Sequence, residues 1–488
     1  VTRLRVPALH REPREGEDSL RGRVALGGAH IALREAAGLA VRLGGVLIVV
    51  RIIGPGSYGI YVAASAFVLL VTMVTQMGSE VWLIRQQREP TIEQYQEVIG
   101  FLLLSVSAGV AIGLAGSYGA TRILHERESI EVFRLLLISV PVNVLWAPAQ
   151  ARIERSFGFR RMAILELSSD VALYGVAIPL ALAGLGPWSL ALGWIACQLL
   201  LLVGSYYLAG LRPRPRLSVS TSRALLRHGR TYATSGSLQQ VANLANPIIV
   251  GSLIGSAGVG VVALAIRLVE TAGFAIRVAI RLGVTTFSRI SDRDRLTAAL
   301  AEGTAIYVIA LGLPLCLAAV ISRAVIPVVL GRPWASVVPL FALLALARVL
   351  SAGGALQSTV LWSRGRNLAV GVVAGANVAL LFLAAWLFVP HLGLAGYGVA
   401  TLCTLPTLIL TDRFARQIAP IRYAEALPPL LMLAPITLFG LVPLGFTGLL
   451  FLPLVAVLSL AGTRKGIARI IGDLLADLRV ARSSDSGP

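Results

Sequence analysis

Charge is what this sequence has least of. Only 14% of its 488 residues are Asp, Glu, Lys or Arg, against about 25% in an ordinary soluble domain. With 56% hydrophobic residues and a mean hydropathy of +0.80, the shortage excludes a soluble globular chain and points to a polytopic membrane protein. Lysine is nearly missing: Lys465 is the single lysine among 43 basic residues. The three cysteines, Cys197, Cys316 and Cys403, all fall inside apolar runs. With no CxxC and no His-rich cluster, neither a disulfide framework nor a metal site is indicated, and no cofactor is implied. The longest connection expected on the outer side, roughly 119–131, is about a dozen residues, so no external domain is expected. No short apolar core with a small-residue cleavage site follows the basic start, so the first helix is expected to be retained.

Apolar spans of membrane-crossing length are what remains. They centre near 30–51, 58–77, 98–118, 132–150, 162–184, 187–209, 232–254, 258–284, 304–327, 335–361, 367–389, 393–411, 427–445 and 448–463. The expected fold class is therefore an all-α polytopic membrane protein of about fourteen transmembrane helices. The positive-inside rule tests that count. With both termini cytoplasmic, 31 Lys and Arg lie on the inner side and four, Arg51, Arg122, Arg127 and Arg332, on the outer side. The other eight fall inside spans. The formal charge of +19 is dispersed over loops between spans, which excludes nucleic acid as a partner. The expected location is the bacterial cytoplasmic (inner) membrane.

The stretch Val259 to Ser288 reads as a membrane helix, yet carries Arg267, Glu270, Arg277 and Arg281. At about 100° per residue these four share one face roughly 80° wide. An arginine at the bilayer centre costs at least ~2.5–3.5 kcal/mol, so such a stripe must face protein or a wet cavity. Arg34 and Arg42 lie two turns apart on the first helix, on one stripe with Gly38 and Gly45, and Arg348 lies on the tenth. Arginine forks pair bidentately with phosphate oxygens, which makes Arg34, Arg42, Arg267, Arg277, Arg281 and Arg348 the candidate ligands of an anionic cargo. Arg34 and Arg281, near helix ends, can instead snorkel to headgroups.

Three intramembrane carboxylates, Glu35, Asp170 and Glu270, are the candidates for ion coupling. A buried carboxylate carries a proton unless an arginine holds it ionised. Glu270, one turn from Arg267, is expected in a salt bridge, and Glu35 can pair with a neighbouring helix. Asp170, beside Ser168 and Ser169, has no arginine next to it in the chain and is the freer proton carrier.

An internal repeat is expected as well. IIGPGSYGIYVAA (52–64) matches LIGSAGVGVVALA (253–265) at an offset of 201, aligning Gly54 and Gly59 with Gly255 and Gly260. Gln150 and Gly158 match Gln357 and Gly365 at 207, and GLGPWSLA (184–191) matches GLAGYGVA (393–400) at 209. The organisation expected is a disordered basic cytoplasmic tail over 1–28, a six-helix lobe over 29–210 and a basic cytoplasmic linker over 211–231. A second, pseudo-symmetric six-helix lobe follows over 232–412, then helices 13 and 14 over 413–463, and an amphipathic or disordered cytoplasmic tail over 464–488.

The segment RIIGPGSYGIYVAASAFVLLVTMVTQMGSEVWLIRQ (51–86) resembles the helix 1–2 signature of Wzx-type polysaccharide flippases. Their superfamily also holds multidrug extruders and the lipid II flippase. RIERSFGFRRMAILELSSDV (152–171) resembles the helix 4–5 linker of the colanic-acid-type branch, and residues 224–268 are similar to the start of the second lobe. The resemblance spans roughly 25–460 and implies two lobes alternating access around a central cavity. It implies an undecaprenyl-pyrophosphate-linked oligosaccharide as cargo, membrane lipids as surroundings, and a polysaccharide polymerase or export machinery as a candidate partner. Relatives often carry an acid midway along helix 7, where this chain has Asn243, Asn246 and Pro247, which puts ion coupling there in doubt. The alternatives are a multidrug or small-cation extruder of the same superfamily and, further off, a membrane-embedded glycan polymerase or glycosyltransferase. Polymerases generally need a sizeable outer loop, which is missing, and the close pair Asp292 and Asp294 reads as a solvated loop. No catalytic residue is therefore expected.

Overall fold

A computed structural model describes residues 15–124, 127–156, 158–272, 292–420 and 422–459. Contacts divide the chain into a body, Arg42–Val457, and a second unit made of Val1–Val41 with Leu458–Pro488. Among the described residues every regular element is helical. Nine segments of them are long and apolar enough to cross a membrane. Ile112, Val203, Leu368, Leu383 and Trp386 are 62–84% exposed. In water each would forgo about 1.5–3 kcal/mol of burial. Such a surface fits hydrocarbon as the solvent, and the all-helical membrane class stands.

The first half runs through α1 (Glu15–Gln76), α2 (Ser79–Ile84), α3 (Ile92–Leu124), α4 (Arg127–Leu137) and α5 (Ser139–Leu145). It continues with α6 (Ala147–Arg155), α7 (Phe159–Leu182) and α8 (Pro187–Ala209). The second half comprises α9 (Val219–Asn243), a π-helical turn (Asn246–Val250), α10 (Ser256–Ala272), α11 (Arg293–Leu330), α12 (Val337–Ala352) and α13 (Ala355–Ser363). Then come α14 (Asn367–Leu392), α15 (Leu394–Leu402) and α16 (Thr407–Ala415). The apolar stretches Leu427–Gly440 and Gly445–Val455, where helices 13 and 14 are expected, are shorter and partly 3-10 in winding.

Several expected boundaries move, each for a local reason. The first two spans form one element interrupted only at Gly54, whose φ of 76° and ψ of 173° precede Pro55. Only glycine takes that backbone region without strain, so a one-residue break replaces the expected loop. The seam between the halves is shorter than 211–231, because α9 begins at Val219 with the Ser218 hydroxyl accepting from the Thr221 N–H. Asp292 likewise caps α11 by accepting from the Asp294 N–H, which gives the SDRDR acids a structural task.

The repeat is visible in backbone geometry. Gly54 and Gly255, 201 apart, both have positive φ, 76° and 94°. Gly186 (φ 52°, ψ −125°) before α8 and Gly393 (φ 58°, ψ −137°) before α15 share one unusual conformation, so this stretch aligns at 207 rather than at the expected 209. The α5–α6 break at Trp146 and the α12–α13 break at Gly353 are equivalent on that same offset. The contact between α1 and α10 is reciprocal. A Cβ built on Gly59 would stand 1.7 Å from the Ser256 carbonyl oxygen, and one on Gly260 2.1 Å from the Pro55 carbonyl oxygen. Pro55 and Ser256 are themselves repeat partners at 201. Contact of i with j′ and of i′ with j is the mark of a two-fold axis, here relating two halves of one chain.

Connections that the charge bias assigns to one side do gather. Arg155 donates to the carbonyls of Leu83, Ile84 and Gln86 at 2.7–3.1 Å. Arg216 pairs with Glu93 at 2.9 Å. Residues 83–97, 152–155 and 211–221 thus meet at one end. At the α1–α10 crossing, Arg51 donates to Val329 O at 2.8 Å and Tyr58 meets Trp334 edge-on at 6.0 Å.

Candidate functional site

A cavity of about 390 Å³ lies inside the body. From α1 come Tyr58 and Ser65, from α9 and the π turn Asn243 and Asn246, and from α10 Arg267 and Glu270. Asn377 of α14 and Tyr397 and Thr401 of α15 complete its polar lining. Arg267 and Glu270 point into it and both are exposed. Among the described residues they form no ion pair, although one turn apart, so the expected Arg267–Glu270 salt bridge is not made. Each reaches open cavity space instead, where a hydrated pair of long side chains gains little by closing.

Asp170 corrects the sequence reading in the opposite sense. Arg42 Nη1 donates to its Oδ2 at 2.8 Å, with the side chains 32% and 17% exposed. The carboxylate expected to be free of arginine is thus the one that is paired, by a residue 128 positions away. The helices are held for this. Tyr174 OH donates to Arg42 O at 2.9 Å, and Gly45 lies against the Tyr174 ring, where a Cβ would stand 2.3 Å from a ring carbon. A small residue at Gly45 lets α1 approach α7. Arg267 stands near enough for its charge to act on both Asp170 and Tyr174.

Arg348, on α12, opens into a second cavity of about 360 Å³ with Ser351, Ser358, Thr407 and Thr411. The two cavities share Ala242 and Asn377. Of the remaining candidates, Arg34 and Glu35 have side chains outside the described residues, and Arg277 and Arg281 lie outside them altogether. Among the described residues the two cavity linings set Arg267 and Arg348 against Glu270, and the Arg42–Asp170 pair belongs to neither lining. The linings are less cationic than the full arginine stripe implies.

Sequence reading takes Asn243 and Asn246 only as the lack of an acid and assigns the amides no role of their own. Asn246 is 3% exposed. Its Nδ2 donates to Val259 O at 3.1 Å, tying the π turn to α10. Its Oδ1 is buried and, among the described residues, has no hydrogen-bond partner. An unsatisfied buried acceptor on a π turn makes Asn246 a candidate working position. The signal was present as N-x-x-N-P in an apolar span. Asn377, alone in a hydrophobic helix, carried the same message.

A family model described as "Polysaccharide biosynthesis protein" matches residues 48–339. The succinoglycan biosynthesis transport protein ExoT of Rhizobium meliloti (strain 1021) is 25% identical over 309 residues, 62% of this chain. The match spans 61% of that protein's length. Among solved structures, the lipid II flippase MurJ in an inward closed conformation superposes with a TM-score of 0.63 at 14% identity, covering 91% of this chain and 100% of MurJ. A multidrug resistance MATE family transporter of the MOP superfamily, inward-facing, gives 0.62 at 15%, covering 79% and 97%. At such identities the likeness is one of fold.

Proposed function

We propose, for a chain that belongs to the polysaccharide biosynthesis protein family, that it flips an undecaprenyl-pyrophosphate-linked oligosaccharide across the cytoplasmic membrane by alternating access. The observation that carries the reading is the reciprocal α1–α10 crossing beside an arginine-bearing cavity. Glycine contacts, the Arg51 bonds and the Tyr58–Trp334 contact close one end of the body, the end that the charge bias assigns to the outside. Two halves related by a two-fold axis can rock about such a crossing and open that end instead. The task requires no bond to be made or broken. Its barrier is moving a diphosphate and sugars through hydrocarbon, which hydrated arginines lower by pairing with phosphate oxygens. Arg267 and Arg348 are the described residues placed for this, with Arg277 and Arg281 as further candidates on the same stripe. Asn243, Asn246, Asn377 and Thr401 offer hydrogen bonds to sugar hydroxyls. Both termini are cytoplasmic in this reading.

A second reading has one observation in its favour. Glu270 faces the cavity beside Tyr58 and Tyr397, a setting that also suits an organic cation.

The test uses purified protein in liposomes and a fluorescent undecaprenyl-pyrophosphate oligosaccharide, with its exposure to an outside quencher followed over time. Wild type is expected to flip it, and Arg267→Gln with Arg348→Gln to lose at least tenfold in rate while remaining folded. Equal rates would reduce both arginines to structural roles. No flipping by wild type, with export of a cationic dye lost in Glu270→Gln, would establish the extruder reading.

A further inference from the structure

A further polar pocket lies at one end of the body. It lies where three basic connections meet, has a volume of about 570 Å³, and is lined by Trp82, Arg85, Arg88, Gln94 and His228 among others. Its construction is specific. The Arg155 guanidinium collects the carbonyls of Leu83, Ile84 and Gln86, and that of Arg88 at 3.3 Å. One partly exposed cation thus satisfies the carbonyl end of α2 and fixes the course of the 85–88 loop. With the loop's carbonyls engaged by Arg155, the Arg85 and Arg88 side chains line the pocket, and both are exposed. Of the acids nearby, Glu93 pairs with Arg216, Glu97 accepts from Thr221 and Glu154 from Gln150, while Glu80 and the exposed Glu89 form no ion pair among the described residues. Among the described residues neither Arg85 nor Arg88 forms an ion pair. His228 stands close enough to Arg85 to feel its charge, and burial together with that charge holds its imidazole below the ordinary range. Two uncommitted guanidinium forks, an imidazole and side-chain amides converge on a space large enough for a diphosphate with a sugar attached.

We propose that this pocket is a binding site for a diphosphate ester, separate from the membrane-embedded cavity, with Arg85 and Arg88 as its phosphate ligands. Two sources share that chemistry: the head of a lipid-linked diphosphate reaching the pocket from the bilayer, and a water-soluble diphosphate from the adjoining aqueous phase. The assignment does not depend on what the membrane cavity carries, because binding is read without translocation.

The experiment titrates full-length protein in detergent with inorganic pyrophosphate and, separately, with farnesyl pyrophosphate, by calorimetry at low salt. Saturable 1:1 binding of at least one probe is expected, weakened about tenfold or more for each arginine removed in Arg85→Gln with Arg88→Gln. Arg85→Lys with Arg88→Lys, which keeps charge but not the fork, is expected to fall between. Farnesyl pyrophosphate binding much tighter than pyrophosphate identifies a lipid headgroup, and equal affinities identify a soluble diphosphate. Should the glutamine variant not fold, phenylglyoxal modification of wild type, mapped by mass spectrometry, supplies the test: either probe protects Arg85 and Arg88 if the site exists. Absence of binding, binding unchanged in a folded glutamine variant, or no protection of these two arginines overturns the proposal.

Discussion

Adding one methyl group at the α1–α10 crossing tests the rocking mechanism directly. In Gly59→Ala the new Cβ would start 1.7 Å from the Ser256 carbonyl oxygen and 2.6 Å from its carbon. An ordinary carbon–oxygen approach is about 3.3–3.6 Å, so the two backbones must separate by roughly 1.5 Å or more. The obstructing atoms are main chain, and no rotamer change relieves them. Separation pulls on the Arg51 bond to Val329 O and on the Tyr58–Trp334 contact. The first is worth about 1 kcal/mol for an exposed charged donor and the second about 1 kcal/mol. The closed arrangement therefore loses about 2 kcal/mol relative to the open one, a shift of roughly 30-fold in their ratio. The assay places a cysteine at Ser65, on the cavity wall, in a background with Cys197, Cys316 and Cys403 replaced. Sealed vesicles are then treated with an impermeant maleimide on the side bearing residues 51–57 and 327–334. Labelling is expected to rise at least tenfold in Gly59→Ala and similarly in Gly260→Ala. Gly175→Ala, whose Cβ meets nothing within 4 Å, is expected to leave it unchanged. Unchanged labelling in both crossing variants, with transport intact, would refute the claim that this crossing closes the cavity.

Other consequences are open to simpler measurements. Removing either member of the half-buried Arg42–Asp170 pair strands a charge in a low-dielectric setting, so Arg42→Gln or Asp170→Asn should each cost about 3 kcal/mol in thermal unfolding. The double variant should recover more than half of that, and strictly additive losses would show the pair to be uncoupled. Gly45→Ala forces its methyl into the Tyr174 ring and should lower the melting temperature, while adding Tyr174→Leu should restore most of the loss. His228 is held below its ordinary 6.5, first by burial and then by Arg85. Its stabilising contribution is therefore complete above the unfolded value of about 6.5 and is lost as pH falls through the lower folded value. His228→Gln should flatten this acid slope, and an unaltered slope between pH 7 and pH 5 would rule out His228 as its source.

How much of this the sequence carried depends on whether a feature is local or arises from distant segments meeting. The spans, the basic connections and the glycine pattern are local, and nine membrane-crossing segments, the gathered basic connections and the glycine pairs stand among the described residues. Gly54 with Gly255 and Gly59 with Gly260 were legible as repeat partners because backbone demands leave the same residue type at both copies. A repeat match reports equivalence, however, and not contact. That Gly59 packs on the repeat partner of Pro55, and Gly260 on Pro55 itself, follows only from where the two-fold axis falls. Asp170 failed for the same reason: its arginine lies on α1, and no window around residue 170 contains it. The amides failed differently. Asn246 and Asn377 are uncharged, so a search for intramembrane charge passes over them. Yet an amide in hydrocarbon also needs its partners, and the idle Oδ1 of Asn246 records one that the described chain does not supply.

The two kinds of failure bear on the mechanism. The long-range pair, Arg42–Asp170, is internally compensated and holds α1 to α7. Arg267 and Glu270, left without an ion-pair partner among the described residues, face the cavity of about 390 Å³, and the partnerless Oδ1 of Asn246, another residue of its lining, is buried. A transporter must keep its cargo-facing groups unsatisfied by its own chain, since a ligand can displace water more cheaply than a built-in ion pair. On the proposed transport reading, paired Arg42 belongs to the scaffold and unpaired Arg267 to the binding surface. Substitution should respect that difference: Arg42 variants should lose folded protein, and Arg267 variants should lose transport in protein that still folds.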